Sequence, residues 1–210
     1  GWLREDWARI STKKWIAPSP GVVDIYQGNE TWDYSLVDPD NRRPIDFNLR
    51  RKQIEQVSTY HNKEKHGWNS LRDDQLLNQY KILVTNKALL HRQKNKQVFT
   101  SSEYLPVTIT GTKSRNIVAF ICKYGESISL TVFTRFFSDF DLEQNKEFSA
   151  SSAWKDTTLI LPKGIALNLT LKDIFTQETI PNTVLDDSIA IKASDILANS
   201  FSTIATNINE

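Results

Sequence analysis

The 210-residue chain has little of what most small functional sites are built from: one cysteine, three histidines and no methionine. A single thiol, Cys122, excludes an intrachain disulfide and fits a reducing, cytoplasmic setting. His61, His66 and His91, without a second cysteine, do not make a structural zinc set. An excess of one charge is also missing. The 26 Lys and Arg against 25 Asp and Glu leave a net +1, which removes the electrostatic basis for generic nucleic-acid or membrane-surface binding. No apolar run approaches the length that spans a bilayer. There is no repeat, no low-complexity tract and no signal-peptide pattern, and the start at Gly1-Trp2 without an initiator Met fits either a tag remnant or a fragment. What is present is a globular composition, 39% apolar and 24% charged, long enough to bury a core.

The periodicity changes once along the chain. Spacing predicts a helix up to about Trp15, stopped by Pro18, Pro20 and Gly21. Val22-Val23-Asp24-Ile25-Tyr26 reads as a short strand, and a loop with two prolines runs on to Asp46. Helices are expected over 48–60 and 71–91. The second shows Leu76, Leu77, Tyr80, Leu83, Val84, Lys87 and Leu90 at three- and four-residue steps, with His91, Arg92 and Lys94 near its end. Beyond about residue 97 the period becomes two. Strands are expected over 104–110, 116–124, 128–133, 158–161, 166–171 and 188–192, which indicates an all-β sandwich. The expected class is therefore α+β, with a helical part over 1–97 and a β part over 98–210.

The loop of the helical part concentrates the chemistry. Glu30, Asp33, Asp38, Asp40 and Asp46 lie close to Arg42-Arg43 and to Tyr26, Trp32 and Tyr34. Aromatic faces beside carboxylates and guanidinium groups suit a polyhydroxylated ligand. The same Asp–Arg pairs also pin long loops, and residue types alone leave both uses open. No carboxylate pair for acid–base work can be chosen among 25 carboxylates, and no nucleophile signature is present. Cys122 lies in an apolar run and reads as an inert core thiol. His61 and His66 read as solvated, and Arg50-Arg51-Lys52 as a solvated helix face. Exposed aromatics such as Trp154 or Tyr124 would give the β part a glucan-binding surface of its own.

Asp24-Ile25-Tyr26-Gln27-Gly28-Asn29-Glu30, then Trp32, then the run from Ser35 through Leu36-Val37-Asp38-Pro39-Asp40-Asn41-Arg42-Arg43-Pro44 to Asp46, resembles the maltooligosyl trehalose synthases, a family of the α-amylase superfamily. Ala88-Leu89-Leu90-His91-Arg92, Tyr104-Leu105-Pro106, Val118-Ala119-Phe120, Trp154-Lys155-Asp156-Thr157 and Leu161-Pro162-Lys163-Gly164 agree in order. Val23 departs from the family, where Pro is usual. The resemblance implies the last strand and helices of a (β/α)8 barrel, followed by a β-sandwich C-terminal domain. It places Tyr26, Gly28 and Glu30 as structural residues at the exit of the eighth strand. Asp38, Asp40, Asn41, Arg42 and Arg43 then shape a substrate site for the reducing-end glucose. It implies conversion of the reducing-end α-1,4 linkage of a maltooligosaccharide to α,α-1,1, an isomerase activity of trehalose biosynthesis. The family's catalytic carboxylates lie on earlier barrel strands, so the chain alone is expected to be inactive, and its uncovered helix face to self-associate. A glucan hydrolase or glucanotransferase of the same superfamily is the alternative chemistry.

Overall fold

The computed structural model describes residues 17–32, 42–61, 74–140, 151–198 and 200–208. Helix α1 (Phe47–His61) starts where a cap is available: the Asp46 carboxylate accepts the Leu49 N–H at 2.9 Å, satisfying one of the first-turn donors. Helix α2 (Asp74–Lys94) carries His91, Arg92 and Lys94 in its last turn, as the helix dipole favours. At Asn95 the chain breaks step and resumes as the short α3 (Lys96–Thr100). The Asn95 amide donates to the His91 carbonyl at 2.9 Å, which closes the end of α2.

Helix α2 is less one-sided than its spacing predicts. Tyr80, Lys81, Ile82, Leu83, Val84 and Thr85 are all buried, so this turn and a half is covered on every side. Leu90, placed on the apolar stripe by spacing, is 44% exposed instead. Helix α1 lies along one side of α2, and a sheet lies along another.

Among the described residues the second part contains ten strands: β1 (Glu103–Pro106), β2 (Thr108–Thr110), β3 (Ile117–Tyr124), β4 (Ser127–Thr134), β5 (Thr158–Ile160), β6 (Leu171–Asp173), β7 (Thr179–Ile180), β8 (Thr183–Leu185), β9 (Ser188–Lys192) and β10 (Ser202–Thr206). They form two antiparallel sheets, one in the order β1-β3-β4-β10-β6-β7 and one in the order β2-β5-β9-β8. Ile121, Leu130, Val132, Leu171 and Ala205 of the larger sheet share a core with Leu159, Ile189 and Ile191 of the smaller one. On the other face of the larger sheet, Phe120 and Cys122 meet Val98 and Phe99 of α3, and Ile204 meets Tyr80, Val84 and Ala88 of α2. Both faces of β3, β4 and β10 are thus covered. That is why β3 reads as a nearly continuous apolar run rather than an alternation.

Several expectations need correction. The single strand over 104–110 is two, and its halves belong to different sheets. Pro106 has no N–H with which to continue a ladder, and the chain changes sheet at Val107. Residues 166–170 form turns, leaving only Leu171–Asp173 as strand. Strands β7, β8 and β10 were not expected from the pattern. β10 is polar in composition, and its Thr203 and Thr206 hydroxyls are buried with hydrogen bonds to the Asp173 carboxylate (2.5 Å) and the Ile128 carbonyl (2.7 Å). Residues 22–26 carry no regular secondary structure and join no sheet among the described residues. β-propensity supplies the shape of a strand and not its ladder partners.

The β8–β9 hairpin gives a first prediction. Leu185 pairs with Ser188, so Asp186 and Asp187 form a two-residue loop, with φ of 47° and 61°. Both positions need the left-handed region, where glycine is at ease and aspartate is strained. Asp187→Gly is expected to raise the unfolding free energy by about 0.5 kcal/mol. Urea denaturation checks this; a lower midpoint would show that the Asp187 side chain contributes more than its strain costs.

Candidate functional site

The loop residues read from the sequence fall into two groups. Asp33, Tyr34, Asp38, Asp40 and Asn41 lie outside the described residues. Tyr26, Gly28, Glu30, Trp32, Arg42, Arg43 and Asp46 are described, and most come together around one turn.

That turn is Tyr26–Thr31. The Asn29 N–H donates to the Tyr26 carbonyl at 3.2 Å, and the Thr31 N–H to the Gly28 carbonyl at 3.4 Å. Gly28 has φ of +83°, and a Cβ there would come within 2.6 Å of Ile45 Cδ1. The positive φ favours glycine, while the Ile45 methyl, the end of a flexible side chain, could give way to a small Cβ. Ile45 seals the underside of the turn, one residue before the Asp46 cap of α1. Glu30 pairs with Arg50 of α1 at 3.2 Å, and Arg50 also donates to the Gln53 side chain at 3.1 Å. Arg50, expected on a solvated face with Arg51 and Lys52, instead joins helix to turn; Arg51 and Lys52 are exposed as expected. Tyr26, Arg42 and Arg43 are exposed.

The far side of the turn is held by a residue that the sequence reading did not place in the site. Lys81 of α2 is 4% exposed, and its ammonium donates to the Thr31 carbonyl at 2.6 Å and lies 4.6 Å from the centre of the Trp32 ring. The available signal was a lysine inside the apolar middle of α2, between Tyr80 and Ile82. Two more cations of the same helix grip main-chain carbonyls. Lys87 donates to Phe175 O at 2.8 Å, and Arg92 donates to Ala17 O (3.0 Å), Ser19 O (2.7 Å) and Gly21 O. Lys87 and Arg92, read from spacing and helix polarity, are thus links from α2 to the β6–β7 loop and to the 17–21 turn.

The remaining candidates are structural. His91 is buried; its Nδ1 lies 3.1 Å from the Asn95 amide and its Nε2 3.5 Å from the Ser129 hydroxyl on β4. Cys122 is fully buried with its Sγ 3.7 Å from Pro18 O, and burial pushes its thiol up, as expected of an inert core thiol. Trp154 is only 1% exposed and packs edge-on against Phe140, so it cannot serve as a sugar platform. Tyr124 is 42% exposed, but without Trp154 the glucan-binding surface expected on the β part loses its main aromatic. The side chain of His61 and the whole of His66 lie outside the described residues.

Chemically, the described arrangement offers exposed aromatic and cationic side chains that could position a polar ligand. Its carboxylates are committed: Glu30 to Arg50, Asp46 to the α1 cap. Among the described residues, no group of three or more His, Cys, Asp or Glu side chains could hold a metal ion, and no helix is long and apolar enough to cross a membrane.

No protein-family model matches the chain. Curated relatives do: proteins named maltooligosyl trehalose synthase from two strains of Mycobacterium tuberculosis are 35% identical over 145 residues, which is 69% of this chain. The chain spans 15% of the length of these relatives. Among solved structures, a point mutant of maltooligosyltrehalose synthase from Arthrobacter ramosus superposes with a TM-score of 0.65 at 27% identity, covering 93% of this chain and 21% of that one. A noncanonic maltogenic alpha-amylase from Thermotoga neapolitana superposes with a TM-score of 0.53 at 14% identity, covering 97% of this chain and 38% of that one, a likeness of fold alone.

Proposed function

Because this chain belongs to the maltooligosyl trehalose synthase family, we propose that it supplies the C-terminal part of an enzyme that converts the reducing-end α-1,4 linkage of maltooligosaccharides to α,α-1,1. In this reading residues 1–97 are the end of the catalytic barrel, with its eighth strand, rim loop and helices. Residues 98–210 are a β-sandwich C-terminal domain, and the enzyme works in the cytoplasm without a cofactor. The observation that carries the reading is the sequence match to the synthases over more than two thirds of the chain.

The reaction is an intramolecular transglycosylation. A carboxylate nucleophile takes the maltooligosyl unit, and a second carboxyl protonates the departing glucose and later deprotonates it. Isomerisation wins over hydrolysis only if that glucose stays, turns over and attacks before water does. Residues at the C-terminal rim of the barrel must hold it. Asp38, Asp40, Asn41, Arg42 and Arg43 are assigned that task, while Tyr26, Gly28 and Glu30 shape the turn that leads to them. The exposure of Arg42 and Arg43, three and two residues before the Ile45 that meets Gly28, supports this placement. Neither the nucleophile nor the general acid is assigned to any residue here.

Two measurements test the reading. The purified 210-residue chain is expected to show no turnover of maltooligosaccharides, because positioning groups without the reacting carboxyls cleave nothing; detectable turnover would sink it. In the full-length enzyme, Arg42→Ala is expected to lower the ratio of isomerisation to glucose release by about tenfold. Both products are measured side by side, and an unchanged ratio would remove Arg42 from the glucose site.

A further inference from the structure

Burying an ammonium costs several kcal/mol unless its partners repay it, so a 4% exposed lysine calls for a reason. Two partners of Lys81, a carbonyl and a ring, lie in the turn that follows Glu30. The turn is braced from three sides: Gly28 rests on Ile45, Glu30 is paired with Arg50, and Thr31 is held by Lys81. The first two braces come from α1 and the residues just before it, and only the third comes from α2. Without it, the Thr31–Trp32 segment keeps its link to Gly28 and the packing of Trp32 on the cluster around Tyr80, Val84 and Ala88, and loses its hydrogen bond from the helix. Thr31 is itself buried, so its carbonyl needs a donor from the protein. Burial buys one thing more, a fixed direction: the ammonium sits between a carbonyl and a ring in a dry setting, where both interactions are stronger than in water.

Resting on the reading above, we propose that Lys81 is a positioning residue of the synthase site. It does not touch substrate; through Thr31 and Trp32 it fixes the turn that carries Glu30, and with it the surface around Tyr26, Arg42 and Arg43. Catalysis that depends on trapping a small leaving group is sensitive to displacements of this kind, where about 1 Å can cost ~10²-fold.

The test uses the full-length enzyme containing this chain, as K81M, K81R and R42A. K81M keeps the aliphatic stem and removes the charge. Isomerisation, glucose release and Tm are measured for each. K81M is expected to lower the ratio of isomerisation to glucose release about tenfold while total bond turnover stays within about twofold, and K81R, which restores a cation for the carbonyl, to recover most of the ratio. An unchanged ratio in K81M overturns the inference. So does an equal loss of both products, which is general damage to the fold. Should K81M fail to fold, Trp32→Leu removes the ring and leaves the ammonium–carbonyl bond; an unchanged ratio there overturns the inference as well. R42A separates the two claims. If it lowers the ratio and K81M does not, only the Lys81 inference fails; if K81M lowers the ratio and R42A does not, the assignment of Arg42 fails and Lys81 stands.

Discussion

Arg92→Ala is expected to lower the unfolding free energy of the chain by about 3 kcal/mol, among the largest losses available from one side chain. The Arg92 guanidinium donates to three carbonyls, those of Ala17, Ser19 and Gly21, and its Cζ lies 5.2 Å from the centre of the Phe99 ring. Those carbonyls belong to a turn interrupted by Pro18 and Pro20, which cannot supply N–H groups of its own to satisfy them. The turn is also tied to α3 by the Gly21 N–H, which donates to Phe99 O at 3.1 Å, and it covers Cys122 through the Pro18 carbonyl. Each bond to a charged donor is worth roughly 1.5–3 kcal/mol when buried, and partial access of water brings the sum toward the low end of that range. Arg92→Lys keeps the charge but places one compact ammonium where a fork served three acceptors, so it should recover less than half. Urea denaturation at constant m-value measures both variants. A loss below about 1 kcal/mol for Arg92→Ala would show that water replaces the guanidinium without penalty.

A loss of at least about 3 kcal/mol is likewise expected for Gly111→Ala. Gly111 has φ of +92°, and an added Cβ would lie 2.7 Å from Asp156 O, 2.7 Å from Thr157 Cα and 2.9 Å from Asp156 C. These atoms are backbone and cannot swing aside. They are also held in place: the Asp156 carboxylate accepts the Thr112 N–H at 2.9 Å, the Thr157 hydroxyl accepts the Lys113 N–H at 3.0 Å, and Thr157 O accepts the Ala193 N–H at 2.9 Å. Any shift would disturb the adjacent Thr110–Thr158 pair that starts the β2–β5 ladder. The variant is expected to unfold at a lower temperature with its helices less affected than its smaller sheet, which amide exchange would resolve; a Tm within a degree or two of the parent would refute the clash. The same junction has a pH signature. Hydrogen bonds from Thr112 hold the Asp156 carboxyl below its usual 3.8, so its contribution is complete above that value and is lost as pH falls through the depressed one.

Some of this architecture was readable one residue at a time. Helix α1 was expected over 48–60 and runs 47–61 because a cap, Asp46, and a break at both ends are local signals. Strand β9 occupies the expected residues 188–192, and β3 begins one residue after its expected start, because apolar β-branched runs bounded by turns need no distant information. The glycine of the Tyr26–Thr31 turn stands out in the motif, and its φ of +83° explains why that position takes no side chain.

What the sequence determined by itself was class and kinship: an α+β chain with one thiol, balanced charge, a change of period near residue 97, and a run from Asp24 to Asp46 specific enough to point to a family. What only the tertiary structure decided was which polar groups are partnered and by whom. Lys81, Arg92 and Asp173 look in the sequence like ordinary surface charges. They hold carbonyls, a backbone turn and a buried hydroxyl that lie 50 to 75 residues away for the two cations and 30 for the carboxylate. Trp154 looks like a ligand platform and is core; residues 22–26 look like a strand and have no ladder among the described residues. The reason is common to all of them. Local pattern reports how a segment divides its apolar and polar sides, whereas burial of a charge, or pairing of an edge, depends on which distant segment arrives opposite it.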